Sequence, residues 1–97
     1  MSKNLIIGID AGTSVIKSVA FDLTGRQIAV ASVPNRYTTA EDGSATQPLD
    51  QTWNDCVRSL RQLAEAVPNL AHRVTAMAVT GQGDGTWLID KDHQPVA

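Results

Sequence analysis

Five residues near the start of the chain have the types and spacing to grip a phosphate: Asp10, Gly12, Thr13, Ser14 and Lys17. They interrupt an apolar, β-branched run, Leu5-Ile6-Ile7-Gly8-Ile9, that is long enough for one buried strand. Gly12 can adopt a backbone conformation that residues with a Cβ avoid, so a tight turn is expected there. With little side chain around it, such a turn exposes N–H groups, and a concave run of N–H groups binds anions. Thr13 and Ser14 add hydroxyl donors. Asp10 offers hard oxygen to Mg²⁺, directly or through water. Lys17, on the strand that leaves the turn, carries an ammonium toward a β- or γ-phosphate. The same residues also suit an ordinary hairpin, with Asp-x-Gly at the turn and Lys17 as a solvated strand residue. The chain has no G-x-x-x-x-G-K-[ST] run.

A second stretch, Gly81-Gln82-Gly83-Asp84-Gly85-Thr86, fails the dinucleotide pattern G-x-G-x-x-G at its last position. Its chemistry suits an alcohol better. An ionised Asp84 has two acceptor oxygens for vicinal hydroxyls, and Gln82 both donates and accepts. Gly83 and Gly85 let the backbone approach. Asp84-Gly85 is equally a common hairpin signal.

The elements that must position these residues follow from pattern and punctuation. Strands are expected over about 4–9, 16–22 and 27–33, the last ending at Pro34, with Gly25 at positive φ in the turn between the second and third. Short turns make these three an antiparallel meander. Residues 35–48 lack periodicity and read as a surface loop. Asp50 is the expected N-cap of a helix over 51–67. Its apolar stripe is Trp53, Val57, Leu60, Ala64 and Val67, with Cys56 and Leu63 beside it and Asp55, Arg58, Arg61, Gln62 and Glu65 toward water. Pro68 ends the helix, and 69–73 is a connector with room for one helical turn. Val74 to Thr80 is a fourth strand, too uniformly apolar for one-sided burial, so cover on both faces is expected. The intervening helix lets it run parallel to the first strand. Ligands then gather outside the shared carboxyl ends, where the Asp10 turn and the Asp84 loop both lie. A fifth strand over 86–90 and a turn at 91–94 complete the reading. Asp90-Lys91-Asp92 is not a calcium loop, because Pro95 stands where that loop needs Gly.

Length and composition narrow the classes. A chain of 97 residues buries about two-thirds of its unfolded surface, enough for one modest core. The net charge of −2, with scattered Lys and Arg, gives no nucleic-acid footprint. One cysteine, Cys56, excludes an internal disulfide and suits a reducing compartment. Cys56, His72 and His93 lack zinc spacing. Nothing approaches a signal peptide or a membrane span, so a cytoplasmic protein without membrane contact is expected.

Gly8-Ile9-Asp10-Ala11-Gly12-Thr13-Ser14, followed by Lys17 and Asp22, resembles the first phosphate loop of the actin, hexokinase and Hsp70 superfamily. It is most similar to the FGGY carbohydrate kinases. Ala78-Val79-Thr80-Gly81-Gln82-Gly83-Asp84-Gly85 resembles the strand and loop with which those kinases touch their sugar. The resemblance covers nearly the whole chain. It implies an α/β fold: part of a ribonuclease-H-like, actin/hexokinase-type domain, with three antiparallel strands, a helix, a parallel strand and a hairpin. It implies that residues 1–97 are the amino-terminal part of an FGGY N-terminal domain. It implies ATP-dependent phosphorylation of a sugar or polyol with Mg²⁺. Gly12, Thr13, Ser14 and Lys17 would bind ATP phosphates, Asp10 the metal, and Gln82, Gly83 and Asp84 the substrate. The resemblance leaves room for a homodimer of the full-length protein.

The family's general base and adenine pocket lie beyond residue 97, so no catalytic residue is expected here and the chain alone should not turn over. Asp84 matches an acidic substrate position of glycerol kinases, whereas Gly83 stands where those have Arg and pentulose kinases have Met-His at the pair. Gly-Gln-Gly-Asp-Gly-Thr-Trp looks most like erythritol-type polyol kinases or L-xylulose kinases. Pro48-Leu49 replaces the Asp-Pro that many members carry before the helix. Two other classes share the phosphate grip: an actin- or Hsp70-like ATPase acting as a switch or assembly module, and a non-enzymatic module that uses the fold to bind partners.

Overall fold

Three strands run as a meander: β1 (Leu5–Ala11), β2 (Val15–Asp22) and β3 (Gln27–Pro34). The computed structural model describes residues 3–35, 38–81 and 88–96. Asp22 shapes the turn between β2 and β3. Its carboxylate accepts from the Thr24 hydroxyl at 2.6 Å, the Thr24 N–H at 2.9 Å and the Arg26 N–H at 3.0 Å. The Thr24 hydroxyl bond, and after it the Arg26 N–H, favours the ionised form and holds its pKa below the usual carboxylate value. Gly25 takes the expected positive φ, +90°. The segment expected to be structureless contains a small antiparallel ribbon, β4 (Thr38–Thr39) with β5 (Ala45–Thr46), turned at Gly43 with φ +88°.

Helix α1 spans Leu49–Ala66. Its N-cap is Pro48, not Asp50, and no side chain caps it; Asp50 sits in the first turn, where its charge still meets the positive end of the helix. At the other end Val67 is extended, as a residue before proline must be, and its N–H bonds Leu63 O at 3.0 Å. The four-residue α2 (Leu70–Arg73) leads into β6 (Val74–Gly81). β6 joins the sheet parallel to β1, giving the order β3-β2-β1-β6. The chain closes with a turn in which the Asp90 N–H bonds Gln94 O and the Val96 N–H bonds Leu88 O, around a single antiparallel bridge between Ile89 and Pro95. Residues 86–87 of the expected fifth strand lie outside the described residues.

The core sits between α1 and one face of the sheet. Leu5, Ile7 and Ile9 of β1, Ile16 and Ala20 of β2, Ala31 and Val33 of β3, and Leu63, Val67 and Leu70 are all buried. The face that α1 turns inward is one residue round from the stripe that hydrophobicity selects. Asp55, Ser59 and Leu63 point in; of the expected stripe Val67 is buried and Leu60 packs half-buried on the core, while Trp53 is 70% exposed and Ala64 is exposed. The cause is on the sheet. Ser18 is wholly buried between small neighbours, Ala20 along β2 and Ala31 across on β3, and its hydroxyl lies 2.6 Å from that of Ser59. Ser59 also donates to Cys56 O at 2.8 Å, so Ser18 supplies the proton of the pair. A buried hydroxyl without a partner costs about 1–3 kcal/mol, enough to fix the helix's rotation against a neighbouring apolar stripe. Asp55, expected toward water, is only 5% exposed and is met by Arg58 at 3.1 Å. Burial, and after it the Asp55 carboxylate, pushes the Cys56 thiol up, as suits an inert packing residue.

β6 departs from its expected cover. Met77 and Val79 lie on the helix side of the sheet, beside Ile7 and Ile9, yet are 55% and 65% exposed. α1 packs chiefly on β2 and β3, and β6 lies at the edge of the described sheet.

Candidate functional site

Strand pairing brings the residues expected to grip a phosphate to one end of the sheet. In the register, Asp10 pairs with Lys17 on β2 and with Thr80 on β6, and Lys17 pairs with Ser32 on β3. Paired residues share a face, so Thr80, Asp10, Lys17 and Ser32 form one row across all four strands. The row is on the face away from α1, because the alternate residues Ile9, Ile16 and Val33 are the buried ones. All four are exposed. The next rung inward, Ala78, Gly8, Val19 and Val30, carries no polar side chain. Asp10 and Lys17 stand directly opposed, and neither makes a salt bridge with another described residue. Both side chains reach the surface, where a ligand has access to them. Sequence reasoning missed Thr80 and Ser32, since only the register shows that they share this rung.

The turn above the row is Gly12-Thr13-Ser14. The Gly12 N–H closes it on Val15 O at 3.1 Å, so this N–H is not one that the turn exposes. Glycine is needed here for space, not for a positive φ: a Cβ would stand 2.8 Å from Val15 O. The three carbonyls of the turn are all engaged. Asn35 Nδ2 donates to Gly12 O at 2.7 Å, Gln47 Nε2 to Thr13 O at 3.2 Å, and the Asn35 N–H to Ser14 O at 3.0 Å. Among the described residues, the N–H groups of Thr13 and Ser14 have no protein acceptor. Two donors, two hydroxyls and the Lys17 ammonium at one strand end make an arrangement that suits an anion. Asn35 and Gln47 fell in the segment read as loop, and no local pattern marks contacts that span 23 and 34 residues.

Among the described residues, no three His, Cys, Asp or Glu side chains gather where they could hold a metal, and Asp10 is the carboxylate of this row. One exposed carboxylate fits Mg²⁺, which keeps several waters and takes one or two carboxylates plus phosphate oxygens. It does not fit a cation that demands an all-protein cage. The carboxyl ends of β1 and β6 coincide, with Ala11 beside Gly81. Gln82, Gly83 and Asp84 lie outside the described residues. Among those described, no helix is long and apolar enough to cross a membrane.

The family described as FGGY carbohydrate kinases, N-terminal domain, matches residues 5–97. The erythritol kinase of Brucella abortus (strain 2308) is 61% identical over 93 residues, covering 96% of this chain and 18% of that protein. A probable L-xylulose kinase of Haemophilus influenzae is 28% identical over 90 residues, covering 93% of this chain and 19% of that protein. The crystal structure of a "xyloylose kinase" from Brucella ovis superposes with a TM-score of 0.88 at 23% identity, over 94% of this chain and 19% of that one. The fold is thus a partial α/β domain of the ribonuclease-H-like, actin/hexokinase type. The chain spans less than a fifth of the length of these relatives.

Proposed function

This chain belongs to the FGGY family of carbohydrate kinases, and on that premise we propose that it forms part of the N-terminal domain of an enzyme that phosphorylates a polyol or sugar hydroxyl with ATP. The observation that carries the reading is the end of the sheet: the Gly12–Ser14 turn stands over the Asp10–Lys17 pair, beside the strand that leads to Gln82, Gly83 and Asp84. Phosphoryl transfer asks a protein mainly for positioning and charge stabilisation. The N–H groups and hydroxyls of Thr13 and Ser14 hold the transferring phosphate. Lys17 balances charge on it. Asp10 holds Mg²⁺, directly or through water; when bound, the metal neutralises phosphate charge. Gln82 and Asp84 orient the acceptor alcohol, with Gly83 leaving it room. The likeness to erythritol kinase favours a small polyol. Transfer also needs a base for the alcohol proton and a pocket for adenine. Both come from parts of the enzyme outside these 97 residues, so the chain alone does not turn over. A cytoplasmic location goes with this use of ATP.

The rival is an actin- or Hsp70-like ATPase, which shares the phosphate turn and needs no alcohol. Coupled ADP-release assays of the full-length protein across a panel of polyols and pentuloses separate the two. Polyol-dependent release is expected. Hydrogen bonds to a charged group contribute about 1.5–3 kcal/mol, so Asp84→Asn should lower kcat/KM for the polyol about ten- to a hundredfold while leaving the ATP KM steady. ADP release that ignores every alcohol would favour the ATPase, and equal polyol kinetics in the variant would remove Asp84 from the substrate site.

A further inference from the structure

From the hydrogen bonding of the turn, we infer that Asn35 and Gln47 are positioning residues that aim the phosphate-binding N–H groups. The inference rests on the kinase reading above and adds to it two residues that touch no substrate.

A trans peptide is planar, so the carbonyl of one residue and the N–H of the next point in opposite directions. Fixing a carbonyl therefore aims the following N–H. Asn35 Nδ2 on Gly12 O, at 2.7 Å, aims the Thr13 N–H. Gln47 Nε2 on Thr13 O, at 3.2 Å, aims the Ser14 N–H. The Asn35 N–H on Ser14 O, at 3.0 Å, fixes the third carbonyl of the turn. All three bonds come from residues behind the turn, at the end of β3 and after β5. The freed N–H groups consequently point away from Asn35 and Gln47. These are the two N–H groups that have no protein acceptor among the described residues.

Asn35 is placed for this work at some cost. It is 3% exposed, and its Oδ1 is buried with no partner among the described residues. A residue serving only to pack would not leave an acceptor unmet, since burying one is unfavourable. The donor half of its amide is what the turn uses. A two-residue hairpin would satisfy Gly12 O from within, through the Val15 N–H; here that role belongs to Asn35. The turn is therefore open on one side, and its shape depends on side chains distant in sequence.

The test uses the full-length protein and two substitutions. Asn35→Asp keeps the shape and sets an oxygen against Gly12 O. Gln47→Met keeps the length, removes the donor, and sits at a half-buried position that tolerates it, so it decides the matter if the first variant does not fold. Misplacing reacting groups by about 1 Å can cost a hundredfold. Asn35→Asp should lower kcat and raise the MgATP KM by roughly ten- to a hundredfold taken together, and Gln47→Met by less. The polyol KM should hold in both. Unchanged kcat and MgATP KM in folded variants would overturn the inference. So would a lower melting temperature with unaltered kinetics in the folded fraction, which marks packing alone. A wild-type protein without polyol-dependent ADP release would instead overturn the kinase reading, and this inference with it.

Discussion

The two faces of the four-stranded sheet are made from alternate residues of the same strands, yet they carry different work. On the α1 side, β1 gives Leu5, Ile7 and Ile9, and β2 gives Ile16, Ser18 and Ala20, all buried. On the other side the same strands give Ile6, Gly8 and Asp10, and Lys17, Val19 and Phe21. The covered face holds the fold through apolar contact and one hydroxyl pair. Along β1, β2 and β6 the open face is apolar except at its last rung, where Asp10, Lys17 and Thr80, with Ser32 of β3, meet the Gly12–Ser14 turn. A period of two lets one strand serve both purposes without compromise. Stability and phosphate chemistry should therefore be separable by substitution.

The largest effect is expected on the covered face. Leu63 is wholly buried at the centre of the helix contact. Leu63→Ala should cost about 2–5 kcal/mol in chemical denaturation, while the folded fraction keeps its nucleotide affinity. A folded variant with full stability would show that α1 is not what holds this face.

A smaller effect sharpens the same comparison. Ser59→Ala strands the Ser18 hydroxyl in the core and should cost about 1–3 kcal/mol. Ser18→Ala together with Ser59→Ala should cost less than the sum of the two single changes, because both partners leave together. Strict additivity in that double-mutant cycle would mean the 2.6 Å contact does not set the rotation of α1.

The open face was the more legible in sequence. The acid, the glycine turn, the hydroxyls and Lys17 announced themselves by residue type, and the meander, helix and parallel strand followed from punctuation at Gly25, Pro34 and Pro68. The covered face was harder. The stripe through Trp53, Val57 and Ala64 looks like a helix core, but Ser18 demands Ser59 opposite, and a hydrogen bond spanning 41 residues has no local signature. The cover of β6 was misjudged for a related reason. Composition reports that Met77 and Val79 are apolar, whereas exposure depends on α1 packing chiefly on β2 and β3 and on β6 lying at the edge of the described sheet. The helix start moved because Pro48, preset at φ −65°, occupies the N-cap ahead of Asp50. Asn35 and Gln47 stayed hidden because their role depends on long-range contact with the turn, not on their own neighbours.

The central claim is that the last rung of the open face serves phosphoryl transfer and not the fold. Lys17→Ala in the full-length protein tests it most directly, with steady-state kinetics and a melting curve taken on the same preparation. Lys17 is exposed and makes no salt bridge among the described residues, so the melting temperature should hold. Losing one charge-stabilising contact at the transferring group should lower kcat by about 10²–10³-fold, or roughly 2.7–4 kcal/mol by analogy with an oxyanion-hole donor. The polyol KM should scarcely move. An unchanged kcat in a folded variant would contradict the account and make Lys17 an ordinary solvated strand residue.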